Sequence, residues 1–129
     1  MKEKSDFEAW IEHAEDDFAN TGKLIRGSKP STYGSCFFAQ QSAEKYMKAM
    51  LVYKEKSFPM THDLTLLNNL LEQVGVFMGG MTEDTLDTLS AYAVATRYPG
   101  ASPTIEDAKE AFQIAKAIRK FSRTFLGLQ

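Results

Sequence analysis

The sequence predicts an all-α fold, an up-and-down antiparallel bundle of about five helices that forms one domain over residues 1–129. Apolar residues recur every three or four positions in successive segments, which is the spacing of helices that bury one face. No segment shows the strict alternation of a half-buried strand. Glycine and proline separate the segments by short connections, so neighbouring helices are expected to pack antiparallel, four of them long or medium and one short.

The first helix is predicted over residues 6 to 26. Ser5 and Glu8 have the spacing of a capping box at its start, and Gly27 follows its end, where glycine commonly stops a helix. Its apolar stripe consists of Phe7, Ile11, Ala14, Phe18, Thr21 and Ile25.

The second helix is predicted from Ser31 to Lys56. Its seam consists of the apolar residues Cys36, Ala39, Ala43, Met47 and Met50 and ends with the polar Lys54. Cys36 is the only cysteine, so it cannot form an intramolecular disulfide or a zinc site made of thiolates. Its place in the seam predicts that it lies in the core.

Three further helices complete the prediction. Thr61, His62 and Asp63 offer capping groups to a short helix that carries Leu64, Leu67, Leu70, Leu71 and Val74. Thr82 opens the fourth helix, with Leu86, Leu89 and Tyr92 or Ala93 on one side, and this helix ends before Pro99. The last helix begins at Pro103 and Thr104, and its inner face is predicted to be Ala108, Phe112, Ala115, Ile118 or Arg119, and Ser122 or Phe125.

Composition excludes several classes of protein. Hydrophobic residues make up 43% of the chain and charged residues 25%, which is typical of a globular domain and not of a disordered segment. The net charge of −2 gives no general attraction to nucleic acid, so such contact would need a local basic patch. No apolar segment has the length of a membrane span or a secretory signal, and a cytoplasmic location is therefore expected.

A row of polar side chains runs along the second helix. Phe37, Gln41, Glu44 and Lys48 follow a spacing of four, three and four, which places an amide, a carboxylate and an ammonium group side by side. We expect this row to lie opposite the apolar seam and to face a ligand or a partner helix. The alternative is an ordinary solvated face with pairs between Gln41 and Lys45 and between Glu44 and Lys48.

Four sequence elements resemble one known family. Residues 38 to 51 read Phe-Ala-Gln-Gln-Ser-Ala-Glu-Lys-Tyr-Met-Lys-Ala-Met-Leu. They are followed by Thr-His-Asp-Leu at 61 to 64, by Tyr92, and by Thr-Arg-Tyr-Pro at 96 to 99. In this order and spacing they resemble the signature of HEPN (higher eukaryotes and prokaryotes nucleotide-binding) domains, over about residues 7 to 122.

This resemblance implies a bundle related to the substrate-binding domain of kanamycin-type nucleotidyltransferases. It also implies a homodimer, and partnership with a minimal nucleotidyltransferase in a two-component, toxin–antitoxin-like pair. A nucleotide or RNA is the expected ligand, and no other cofactor is expected. The candidate ligand- or partner-binding residues are Gln41, Glu44, Lys45, Lys48, His62, Asp63, Tyr92, Arg97 and Tyr98.

The rival prediction is a metal-independent RNA endonuclease that uses Arg97, with His62 or with polar groups such as Ser102, in a dimer cleft. Many HEPN proteins cleave RNA with an arginine that is followed, four to six residues on, by a histidine. Arg97 matches that arginine, but no histidine follows it anywhere in this chain. His62 is the one candidate to replace it, although a histidine at a helix start more often caps the backbone or contacts a neighbour such as Asp63. The sequence therefore favours a binding module over an enzyme.

Other catalytic signatures are absent from the sequence. His13, Asp16 and Asp17 have metal-like spacing but lack further converging ligands, so an exposed acidic helix face is the preferred interpretation. Gly75, Gly79 and Gly80 do not form a phosphate-binding loop. The apolar residues among these glycines are expected either to fold onto the bundle or to join a partner interface. The chain also lacks the Gly-Ser and spaced aspartates of a nucleotidyltransferase site, so it is expected to be the non-catalytic subunit.

Overall fold

A computed structural model describes residues 6–95 and 102–128, with Ala95 described by its backbone alone. This part of the chain contains five helices and no strand, which confirms the all-α prediction. The helices are α1 (Asp6–Ile25), α2 (Thr32–Tyr53), α3 (Leu64–Gln73), α4 (Glu83–Ala95) and α5 (Ile105–Phe125).

The second helix, α2, is the centre of the bundle and packs against all four others. Its predicted seam is confirmed, because Cys36, Ala39, Ala43, Met47 and Met50 are all fully buried. Burial also raises the pKa of the Cys36 thiol to about 11, so the thiol stays protonated and unreactive at neutral pH.

The end of α2 differs from the sequence prediction. α2 ends at Tyr53 and not at Lys56, because Glu55 has a positive φ of 57° that a right-handed helix cannot continue. Its start is fixed by Ser31, whose side chain accepts a hydrogen bond from the Gly34 N–H at 3.1 Å. The proposed capping box of α1 includes Ser5, which lies outside the described residues.

In the connection between α3 and α4, some side chains are buried in the core and others are exposed at the surface. Val76 and Met78 are 2% and 7% exposed, so this segment folds onto the bundle, as one of the two sequence interpretations expected. Phe77 between them is 65% exposed. At the end of the loop, Thr82 accepts a hydrogen bond from the Thr85 N–H at 3.1 Å and starts α4 as predicted.

The last helix, α5, begins with a capping box between Thr104 and Asp107. Ile118 is buried, which settles the choice that the sequence left between it and Arg119. Phe112, predicted to face inward, is half-buried and stacks on Phe18 of α1 with 5.4 Å between ring centroids. α5 therefore packs along both α1 and α2.

Candidate functional site

Glu44 of α2 is the centre of a polar cluster. Its Oε2 lies 2.8 Å from the Lys48 Nζ, and its Oε1 lies 2.8 Å from the His62 Nδ1. The Gln40 Nε2 donates to the same Oε1 at 3.1 Å. Glu44 is 4% exposed, so three partners replace the water that this carboxylate has lost. We call these four residues, Gln40, Glu44, Lys48 and His62, the Glu44 cluster.

Aromatic rings cover the cationic side of this cluster. The Lys48 Nζ lies 5.6 Å from the ring centroids of both Trp10 and Phe58. Lys48 is only 7% exposed, and the ring faces favour a cation at this position. Because the two rings exclude water, the attraction between Lys48 and Glu44 is screened much less than it would be on the surface.

The expectation that the polar row of α2 faces outward is therefore wrong. Glu44 and Lys48 are buried inside the bundle, whereas Gln41 is partly exposed and donates to the Gln40 Oε1 at 2.7 Å. The alternative of a solvated face is wrong for the same two residues, although their predicted pairing is present. α2 packs against all four other helices, which periodicity within one helix cannot reveal.

His62 is the exposed member of the Glu44 cluster. Its side chain is 56% exposed, and its backbone carbonyl accepts a hydrogen bond from the Gln40 Nε2 at 3.2 Å. The sequence favours a backbone cap or a contact between His62 and the neighbouring Asp63. The structure shows instead that the ring contacts Glu44. Asp63 instead caps α3 by accepting from the Leu66 N–H at 3.2 Å.

The Glu44 contact determines which ring nitrogen of His62 is free. Burial alone would raise the pKa of Glu44, but hydrogen bonds from Lys48, His62 and Gln40 outweigh it and lower the pKa below its usual value. Glu44 is therefore an ionised acceptor at neutral pH, and Nδ1 of His62 donates to it. Nε2 forms no hydrogen bond with the part of the chain that the structure describes, so it is available for one hydrogen bond to a ligand.

His62 lies at the rim of a groove between the start of α3 and the second half of α4. The groove has a volume of about 390 Å³. It is lined by His62, Asp63, Asp87, Ser90, Ala91, Ala93 and Val94. Ser90 and Asp87 already have partners, because Ser90 accepts from the Leu64 N–H at 2.8 Å and Asp87 accepts from the Thr65 hydroxyl at 2.6 Å. Among these lining side chains, the His62 imidazole therefore offers Nε2, which has no hydrogen-bond partner among the described residues.

The remaining predicted site residues do not join this cluster. Lys45 pairs with Asp17 of α1 at 2.6 Å. Tyr92 interacts with the buried Cys36, and burial raises the pKa of this tyrosine to about 12. Arg97 and Tyr98 lie outside the described residues.

Several residues of the site were missed by the sequence prediction. Gln40 stands four residues before Glu44, which stands four residues before Lys48, so helical spacing could have identified it. Trp10 and Phe58 come from α1 and from the loop before α3. No spacing in the sequence relates these two rings to Lys48, so only the tertiary structure brings them together.

A second polar cluster joins α1, α2 and α5. The Arg119 Nε and Nη2 donate to the Glu15 carboxylate at 2.9 and 3.0 Å, and the Tyr46 hydroxyl donates to it at 2.8 Å. Arg123 lies 3.4 Å from the same carboxylate. Burial would raise the pKa of Glu15, but these hydrogen bonds and the two guanidinium charges outweigh it and lower the pKa. This Glu15 cluster connects α1, α2 and α5 by side chains within the three helices.

The two lowered pKa values predict acid sensitivity. A carboxyl group whose pKa is lower in the folded state stabilises the fold at pH values above its unfolded pKa, and this stabilisation is lost as pH falls through the folded pKa. We expect the free energy of unfolding to be constant near neutral pH and to fall below about pH 4.3, the ordinary value for glutamate. Urea titrations at a series of pH values measure this, and Glu44→Gln should make the fall shallower. An unchanged slope in that variant would contradict the role given to Glu44.

Two further features bear on the kind of site. No group of three or more histidine, cysteine, aspartate or glutamate side chains within residues 6–94 and 102–128 is arranged to hold a metal ion. In the same part of the chain, no helix combines the length and the apolar character that crossing a bilayer requires.

The fold and this site define an all-α bundle with a carboxylate-anchored histidine beside a surface groove. The family model described as HEPN domain matches residues 7–125, nearly the whole chain. The chain therefore belongs to the HEPN domain family. Comparisons with curated proteins and with solved structures found no match.

Proposed function

We propose that this protein is a non-catalytic nucleotide- and partner-binding module that works with a small nucleotidyltransferase as a two-component, toxin–antitoxin-like pair. The observation that carries the proposal is His62, whose ring is held by Glu44 at 2.8 Å while its other nitrogen remains available at the groove rim. The groove volume of about 390 Å³ falls within the range of small-molecule sites.

The internal pairing of the Glu44 cluster supports binding over catalysis. Lys48 and Glu44 neutralise each other, and both are buried. These groups therefore fix the histidine and do not themselves reach a ligand. A single imidazole can orient a phosphate or a base by one hydrogen bond, whereas general acid–base cleavage needs a second positioned group.

Nucleotide binding is tested by calorimetric titration of the purified protein with ATP, GTP and their monophosphates. We expect His62→Ala to weaken binding about tenfold, the loss of one hydrogen bond to a charged group. His13→Ala is the matched control, because His13 is also an exposed histidine but lies on α1 away from this groove. Equal affinities in the wild type and both variants would contradict the assignment of the groove.

Partner binding is tested by copurification of the native protein and by its mass in solution. We expect a homodimer that carries a small nucleotidyltransferase, identified by mass spectrometry. A monomer with neither this partner nor nucleotide affinity would overturn the proposal.

A second candidate function is a metal-independent RNA endonuclease that uses His62 with Arg97. The Glu44–His62 contact favours it, because a carboxylate that fixes the tautomer of a histidine is a recurring arrangement in acid–base catalysis. Cleavage of single-stranded RNA that disappears in Arg97→Ala and His62→Ala, without a change in Tm, would replace the binding module with this enzyme. His13→Ala should retain any such cleavage.

A further inference from the structure

The second half of α5 presents four basic side chains to one groove. Lys116, Arg119, Lys120 and Arg123 line it together with Thr124, Gly127 and Leu128. The groove has a volume of about 510 Å³, and no carboxylate is among these lining residues. Their spacing of three, one and three places the four cations along the same side of the helix.

Two of these cations are fixed and two are free to pair. Arg119 is held by Glu15 and lies 5.1 Å from the Phe18 ring centroid, and Arg123 is held by the same carboxylate at 3.4 Å. Lys116 and Lys120 are exposed and form no ion pair with the described residues. The groove therefore combines two guanidinium groups paired with Glu15 and two exposed ammonium groups without an ion pair among the described residues.

An apolar cleft adjoins this basic groove. It has a volume of about 340 Å³ and shares Lys120 and Thr124 with the groove. Its other lining residues are Met78, Gly79, Met81, Ala117 and Phe121. Unbranched methionine side chains adapt to varied apolar surfaces and are common at binding sites for helices.

We propose that the α5 surface, made of the basic groove and the apolar cleft, binds an acidic amphipathic helix of a partner protein. The apolar face of that helix would enter the cleft, and its carboxylates would pair with Lys116 and Lys120. Both parts of the surface repeat along α5 at three- and four-residue spacing, which is the spacing at which a bound helix presents apolar and acidic residues.

Charge distribution favours a helix over a nucleic-acid strand. The chain as a whole has a net charge of −2, so attraction for an anionic partner is confined to this groove and does not extend along a long polyanion. The cleft has one aromatic lining residue, Phe121, and this ring already stacks on Phe125 with 6.3 Å between ring centroids. Strand binding relies on several exposed ring faces for base stacking.

This inference rests on the partner-binding part of the proposed function and does not involve the His62 groove. The probe is a fluorescently labelled synthetic helix of about 18 residues, with leucine at helical spacing and glutamate elsewhere. Two control peptides carry lysine in place of glutamate or the same residues in scrambled order, and a labelled oligouridine tests the rival ligand.

Fluorescence anisotropy should show binding of the acidic helix alone. The double variant Lys116→Glu and Lys120→Glu should weaken this binding at least about tenfold, because like charges then face each other. Ala117→Gln, which places a polar side chain at the exposed edge of the cleft, should weaken it without affecting the core. The control Lys54→Glu with Lys109→Glu makes the same change in charge at exposed positions elsewhere and should bind as the wild type does.

Any of three results would overturn the inference. The acidic helix does not bind, the scrambled peptide binds equally well, or oligouridine binds in a way that depends on Lys116 and Lys120. In copurification, the Lys116→Glu and Lys120→Glu variant should lose the nucleotidyltransferase while His62→Ala retains it. The reverse pattern would reject the α5 surface and leave the His62 groove in place, so the two proposals fail separately.

Discussion

Lys48→Met will lower the free energy of unfolding by about 3 kcal/mol, because it leaves the buried Glu44 carboxylate without its cation. Methionine is one atom shorter than lysine but fills most of the same space between Trp10 and Phe58, so the loss reports mainly on charge and not on a cavity. Urea unfolding followed by circular dichroism measures it. His62 and Gln40 still contact the carboxylate, which places the expected loss at the lower end of the range for a broken buried pair.

The double variant Glu44→Leu with Lys48→Met is the control for this prediction. Removing both charges leaves no uncompensated ion in the bundle, so the double variant should be more stable than Lys48→Met alone. His62 loses its hydrogen bond to Glu44 in this variant, but its side chain is exposed enough to bond to water instead. Additive losses from the two single changes would show that Glu44 and Lys48 do not act as a pair.

Tyr46→Ala will lower the free energy of unfolding by about 3–5 kcal/mol, the range for removing a fully buried aromatic side chain. Tyr46 is 0% exposed at the centre of α2, and its hydroxyl donates to Glu15 at 2.8 Å. The substitution therefore creates a cavity and also removes one donor from the Glu15 cluster. Thermal unfolding and urea unfolding of the same samples measure the change.

Tyr46→Phe separates these two contributions. It keeps the ring and removes only the hydroxyl, so the expected loss is about 1 to 2 kcal/mol. Arg119 and Arg123 still contact the Glu15 carboxylate in this variant, which limits the cost. If Tyr46→Phe were as unstable as Tyr46→Ala, the hydrogen bond and not the packing of the ring would dominate.

The two polar clusters act at different faces of α2. The Glu44 cluster connects α2 to the loop before α3, while the Glu15 cluster connects it to α1 and α5. The first cluster also positions the histidine on which the proposed ligand site depends. Stability of the α2 environment and the geometry of the candidate site are therefore coupled, and a functional variant in either cluster needs its Tm measured alongside.

Local pattern was sufficient for most of the fold. Apolar spacing predicted five helices, and the buried seam from Cys36 to Met50 was confirmed residue by residue. The caps at Asp63 and Thr104 depend on side chains that contact backbone groups within three residues. Because such short-range interactions involve residues that are close together in the sequence, they can be predicted without a structure.

The sequence by itself determined the helices, the family signature and the pairing of Glu44 with Lys48, because these depend on residues close together in the chain. Only the tertiary structure decided that this pair is buried, that Trp10 and Phe58 enclose it and that His62 is its exposed partner. The physical reason is that burial depends on which helices pack around α2, and periodicity within one helix contains no information about its neighbours.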